Sequence, residues 1–132
     1  ASSAASDVYK RQDDAVRFLG NRSDVNELYQ AMDVFVMPSF FEGIPVTGVE
    51  AQFAELPCIF STKVPKEVSF TDKCKFITLE ESIDKWAEAI LSVDPNLRVE
   101  GSSTAKNSWY NIKNAKSILV EYYNNISLEE KQ

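Results

Sequence analysis

Histidine is absent from the 132 residues. That excludes histidine general bases, Ser–His and Cys–His nucleophile pairs and most zinc sites. Cysteine is confined to Cys58 and Cys74, too few for a disulfide scaffold or a four-thiolate metal centre. Both stand in or beside apolar runs, and a reduced, cytoplasmic setting is expected. No apolar run approaches the roughly 18 residues of a membrane span, and no signal-peptide core lies near the N-terminus. Bases are outnumbered by acids, 14 against 20, for a formal charge of −6. This is the opposite of a nucleic-acid binder's footprint, so nucleic acid is not an expected partner. What remains is 44% apolar and 26% charged, ordinary composition for one globular domain.

Residues 1–12 (ASSAASDVYKRQ) are small and polar without an apolar period, and read as a tail outside the fold. Ser2 to Gln12 resembles, residue for residue, the in-frame translation of a transposase-type DNA-sequencing adapter. The plainer alternative is a disordered leader or a processing segment. On the adapter reading the native portion is 13–132, and the chain is expected to be the C-terminal piece of something longer.

The rest divides cleanly. Val16 to Leu19 is a short β-type run closed by the turn signal Gly20-Asn21. Ser23 or Asp24 caps a helix over 24–32, with Glu27 in capping-box spacing and Val25, Leu28, Ala31 and Met32 as its apolar face. Asp33 to Met37 is a continuous apolar run ended by Pro38-Ser39, the pattern of a strand buried on both faces. A helix follows from Pro45 to about Glu55, on Val46, Val49, Ala51, Phe53 and Ala54. Pro57 to Phe60 and Cys74 to Leu79 read as two more strands. Ser82 caps a helix carrying Ile83, Trp86, Ala87, Ile90 and Leu91 on one face. A polar linker over 94–103 leads to a final helix over about 106–124, whose stripe is Ile112, Ala115, Leu119, Tyr122 and Ile126. The tail after Ser127 is charged and is expected to fray. The order β-α-β-α-β-β-α-α argues a doubly wound, Rossmann-like parallel α/β sheet. Ligands of such sheets sit beyond the carboxyl ends of the strands. The loops in that position are Gly20–Ser23, Ser39–Thr47 and Ser61–Lys66.

The second loop carries the chemistry. Glu42 and Glu50 lie eight residues apart, one in the strand-to-helix loop and one inside the helix. Backbone N–H groups at the helix N-terminus between them form an anion site. Gly43 lets a ligand approach the backbone. Carboxylates only accept hydrogen bonds, which suits neighbouring hydroxyls such as a ribose diol. An anion site flanked by diol-binding acids is what a sugar nucleotide requires. The loop is not a P-loop: Gly43 and Gly48 have the interval, but Val49-Glu50 stands where Lys-Ser/Thr is needed.

These residues resemble the C-terminal, donor-binding domain of the GT-B retaining glycosyltransferases of group 1 (family 4), in their capsular or exopolysaccharide branch. The E-x7-E hallmark is matched by Glu42 and Glu50, framed by the Asp33-to-Ser39 strand, Glu-Gly-Ile-Pro, Glu-Ala-Gln and the Leu-Pro-Cys strand. The resemblance implies that Glu50 bonds the ribose of a nucleoside-diphosphate donor, and that Glu42, Gly43 and Ile44 hold the donor sugar. It further implies that Pro45, Val46 and Thr47 form the phosphate loop, although Pro45 has no N–H to offer. Asn21 and Arg22 would border the base. The implied reaction is hexose transfer to a glycan or lipid-linked acceptor with retention, without metal or other cofactor. The basic pair that steadies the leaving diphosphate, and the N-terminal domain with the acceptor site, would lie outside this chain, so the chain alone is expected to be inactive. The implied location is the cytoplasm, with the inner membrane face as a peripheral site. Val46-Thr47-Gly48 departs from the family's aliphatic run, and Gly48 weakens a helix by up to about 1 kcal/mol.

Two rivals are weaker. A receiver-like signalling module would need an acidic pair after the first strand, whereas Asp13-Asp14 precede it; an inactive sugar-nucleotide-binding module stays open as the alternative reading. A non-hydrolysing epimerase would need histidines. Lys63 and Lys66 read as a solvated basic loop, Cys58 as inert packing, and Trp86 and Trp109 as core. Phe40-Phe41 either shapes the sugar pocket or packs under the loop. Tyr122-Tyr123 leaves apolar surface exposed on the last helix.

Overall fold

The computed structural model describes residues 16–94, 98 and 106–129. The tail, and the linker apart from Asp94 and Arg98, lie outside the described residues. Helix α1 (Val25–Ala31) leads into strand β1 (Phe35–Met37), helix α2 (Val46–Phe53) and strand β2 (Cys58–Ser61). A 3-10 turn (Lys66–Val68), strand β3 (Cys74–Ile77), helix α3 (Ile83–Leu91) and helix α4 (Ile112–Glu129) follow. The three strands are parallel in the order β1-β2-β3. This is a Rossmann-like α/β arrangement.

β2 is the central strand, and all four of its residues are buried. Alternation puts Cys58 and Phe60 on the face that receives α2. Phe60 stands between Phe35 and Phe76, with ring centres 6.1 and 5.5 Å away. Leu56, Val64 and Val68 close the core with Tyr29 and Ala51. α2 sits so close to the sheet that a Cβ on Gly48 would meet Phe60 Cε1 at 2.9 Å and Cζ at 3.1 Å. The glycine that lowers helix propensity is therefore the residue that admits the ring. α2 ends in a Schellman motif, with Leu56 N–H bonded to the Ala51 carbonyl and Glu55 N–H to that of Gln52. Glu55 takes the left-handed conformation, φ 63°, where glycine is usual. Its carboxylate pairs with Lys73 at 3.1 Å in a half-buried setting.

Several expectations need correction. Val16 to Leu19 does not join the sheet and is largely exposed, because a β-type run becomes a strand only against a partner edge. Gly20 does turn, at φ 63°. The Asp24 capping box is not formed: the carboxylate makes no cap bond, being taken by Arg22. On α1 the buried residue is Tyr29, while Ala31 is exposed. β1 is half-buried because it lies at the edge of the described sheet. On α3, Ser82 caps Lys85 N–H as expected, but Ile83 and Leu91 are exposed. Trp86 reaches inward, its indole N–H donating to the Thr78 carbonyl at 3.2 Å. Trp109 is exposed in a turn and is not core. Helix α4 begins at Ile112 and continues through Ser127 to Glu129 instead of fraying there. Its Ile112, Leu119, Tyr122 and Tyr123 are exposed. Among the described residues, no helix is long and apolar enough to cross a membrane.

Gly48 and Gly43 give opposite expectations. Gly48→Ala forces a buried ring to move, at about 1–3 kcal/mol, which outweighs the propensity gain of about 1 kcal/mol. Nothing lies within 4 Å of a Cβ on Gly43, so Gly43→Ala stays within about 0.5 kcal/mol of the parent. Urea denaturation of both variants measures the difference. Equal midpoints would refute the close-approach account of Gly48.

Candidate functional site

The site is built on α2 and the loop that feeds it. Pro45 is the N-cap of α2, with φ −73° and ψ 115°, and it is buried. The first helical bonds run from Gly48 N–H and Val49 N–H to the Pro45 carbonyl, at 3.0 and 3.2 Å. The Val46 and Thr47 N–H groups precede them and belong to the orphan donors of a helix start. Both residues are exposed. Pro45 thus shapes the turn, while Val46 and Thr47 carry what attraction the helix end has for an anion.

The two glutamates are held by different devices. Glu42 is half-buried and accepts a hydrogen bond from Ser39 Oγ at 2.9 Å. Ser39 is itself anchored, since its carbonyl accepts from Ser61 Oγ. Ser61 is fully buried at the carboxyl end of β2 and also accepts from Lys63 N–H at 3.2 Å. One hydroxyl thereby ties the loop after β1 to the loop after β2. Glu50 is exposed on the second turn of α2, and its Oε2 accepts from Tyr29 Oη at 3.3 Å. The same hydroxyl lies 3.3 Å from the Thr47 carbonyl. Burial first, and the Glu50 charge second, push the Tyr29 phenol up to about 12. It therefore stays a protonated donor throughout the neutral range. Asn26, Tyr29, Gln30, Glu50, Phe53 and Ala54 line a groove of about 260 Å³ between α1 and α2.

The remaining candidates are distributed as follows. Gly43 and Ile44 are exposed in the loop. Phe40 and Phe41 are 82% and 87% exposed, so they do not pack under it. Asn21 is exposed before α1. Arg22 forms a two-pronged pair with Asp24, its Nε 2.7 Å from Oδ1. That hydrogen bond holds the Asp24 carboxyl below its usual range and raises the guanidinium. One edge of the guanidinium, Nε and Nη2, is thus occupied, and Nη1 and the flat face are what it can offer a base. Lys63 and Lys66 are exposed after β2. Tyr29, Ser39 and Ser61 were missed by sequence reasoning. Only Tyr29 left a signal, at the 25, 29, 32 period of α1. The hydroxyl links are long-range and leave none.

A model of the glycosyl transferases group 1 matches residues 2–94, including most of the stretch set apart as a tail. The chain belongs to this family. EpsF of Bacillus subtilis, which carries a glycosyltransferase name, is 45% identical over 76 residues, 57% of this chain and 20% of its own length. The UDP-Gal:alpha-D-GlcNAc-diphosphoundecaprenol alpha-1,3-galactosyltransferase of Escherichia coli is 51% identical over 43 residues, 33% of this chain and 11% of its own. The N,N'-diacetylbacillosaminyl-diphospho-undecaprenol alpha-1,3-N-acetylgalactosaminyltransferase of Campylobacter jejuni is 55% identical over 38 residues, 29% of this chain and 10% of its own. The chain thus spans a fifth or less of the length of these relatives in the matched regions. No solved structure matches it.

The Ser61 link can be tested directly. Ser61→Ala leaves the Ser39 carbonyl and the Lys63 N–H without their partner, at about 1–3 kcal/mol. Urea unfolding reads that loss, and limited proteolysis reads faster cleavage within 39–43. An unchanged midpoint together with unchanged cleavage would remove the link from the account.

Proposed function

We propose that this chain forms the donor side of a hexosyltransferase that uses a nucleoside-diphosphate sugar. The observation that carries the reading is the disposition of Glu42 and Glu50 about the α2 N-terminus, where Val46 and Thr47 present first-turn amides. Glu50 accepts from the ribose hydroxyls, with Tyr29 orienting its carboxylate. Glu42, steadied by Ser39, accepts from hydroxyls of the sugar, along which Gly43 and Ile44 lie. The amides of Val46 and Thr47 face the diphosphate, whose charge grows as the glycosidic bond breaks. The flat face of Arg22, beside Asn21, borders the base. No step in this scheme calls on a metal or other cofactor.

Retention is supported by the relatives' printed names. The E. coli protein takes UDP-Gal and makes an alpha linkage, and a nucleotide sugar of α configuration giving an α product retains configuration. The acceptors in both galactosyl-type names are sugars on undecaprenol diphosphate. A glycan growing on such a lipid, at the cytoplasmic membrane face, is the acceptor we infer. The acceptor side and a further N-terminal domain lie outside these residues on this reading, so the chain by itself binds donor and does not turn it over.

The test is calorimetric titration of the full chain with a UDP-hexose. Hydrogen bonds to a charged acceptor contribute about 1.5–3 kcal/mol, so Glu50→Gln and Glu42→Gln each weaken binding by roughly tenfold or more. Excess chelator leaves the affinity unchanged. Absence of binding at millimolar sugar nucleotide, or equal binding by folded variants, would overturn the reading.

A further inference from the structure

Cys58 and Cys74 face each other across adjacent parallel strands, as register partners on the α2 side of the sheet. Both are free thiols, and the donor site uses neither. Neighbouring strands run about 4.7–4.9 Å apart, inside the Cα separation of about 4.4–6.8 Å that a disulfide spans. The two differ in setting. Cys58 is fully buried, and its thiol donates to the Leu56 carbonyl at 3.3 Å. Cys74 is half-buried, and its sulfur lies 3.2 Å from Gln52 Oε1 and 3.6 Å from Thr71 Oγ1.

We propose that Cys58 and Cys74 are a reversible redox modification site, a dithiol that closes to a cross-strand disulfide when a peroxide reaches Cys74. The step balances in two stages. The Cys74 thiolate attacks hydrogen peroxide, forming an S–O bond, breaking the O–O bond and releasing hydroxide. The Cys58 thiol then attacks the sulfenic sulfur, forming the S–S bond and losing water. The sulfurs are oxidised and the peroxide is reduced.

The assignment of roles follows from the surroundings. Contact with Cys58 draws the Cys74 thiol below its ordinary range against the opposing effect of burial, and the Ser69 and Thr71 hydroxyls add to the lowering. Contact with Cys74 and burial push Cys58 up. The more accessible sulfur is therefore the nucleophile, and the buried one resolves. Directly opposed parallel residues hold their Cβ atoms near the strand spacing, wider than the mean of about 3.8 Å in disulfides. The bridge must pinch the sheet, which places it among strained, easily reduced disulfides. On closing, Cys74 gives up its hydrogen bond to Gln52 of α2.

The full reduced chain is exposed to hydrogen peroxide, then denatured, alkylated and weighed by mass spectrometry. The expected product is monomeric, two hydrogens lighter, with neither thiol alkylated, and dithiothreitol restores both. Cys58→Ser is expected to stop at a Cys74 sulfenic acid trapped by dimedone, with circular dichroism confirming its fold. Two alkylated thiols after peroxide, a disulfide-linked dimer, or oxidation of the parent to sulfinic acid without the lighter product would each overturn the proposal. None of these outcomes bears on donor binding, which uses other residues.

Discussion

The carboxamide of Gln52 holds helix α2 to the connection between β2 and β3. It is fully buried, and burying an amide without partners costs about 1–3 kcal/mol by protein measurements. Here both ends are used. Nε2 donates to the Gly48 and Val68 carbonyls at 3.0 and 2.8 Å. Oε1 receives the Phe70 N–H at 3.0 Å and the Thr71 hydroxyl at 3.3 Å, with the Cys74 thiol at 3.2 Å. The turn over Lys66–Val68 contributes only Val68 to the core, so its position depends on these polar bonds. Gln52 can reach them only because α2 lies hard against Phe60, which in turn requires Gly48. The close approach and the carboxamide network are therefore one constraint. Together they set where the N-terminus of α2 points.

From there the site follows. With α2 fixed, Glu50 comes to rest against Tyr29, and the Val46 and Thr47 amides emerge beyond the carboxyl end of β1. Glu42 is placed independently through Ser39 and Ser61. The two carboxylates are thus set by separate structural means, one by helix packing and one by a chain of hydroxyls. A change in either can shift one acid without moving the other. Arg98 adds a remote support, donating to the Tyr29 and Gln30 carbonyls at the C-terminal end of α1. That end of a helix attracts cations. The support steadies α1, and with it the phenol that meets Glu50.

What could be read in the residues followed their physical range. Periodicity located α2, β2, β3 and α3 within a few positions, because burial of a stripe or a run leaves a local pattern. The glutamate pair and its frame were equally local. The failures were all matters of tertiary context. Val16 to Leu19 has strand composition without joining the sheet. Asp24 had capping spacing in the sequence and was claimed by Arg22. Gln52 reads as a polar residue on a helix and is a core residue, since its partners outside its own helix lie sixteen or more residues away, between Val68 and Cys74. Gly48 read as a weakness in a helix, and only the ring of Phe60 explains it.

The loop before α2 departs from ordinary surface composition in a directed way. Phe40 and Phe41 are almost fully exposed, Ile44 and Val46 about half or more, and Gly43 has open space around it. Isolated exposed apolar residues need no explanation. Here they surround two orphan amides and a held carboxylate, and local departures from foldability rules concentrate where a site is built. Helix α4 supplies the contrast. It exposes Ile112, Leu119, Tyr122 and Tyr123 without, among the described residues, a carboxylate held as Glu42 is. Exposure alone therefore does not distinguish the two surfaces. The loop is set apart by oriented acceptors and donors beside its apolar rim, the combination on which the proposed sugar-nucleotide reading rests.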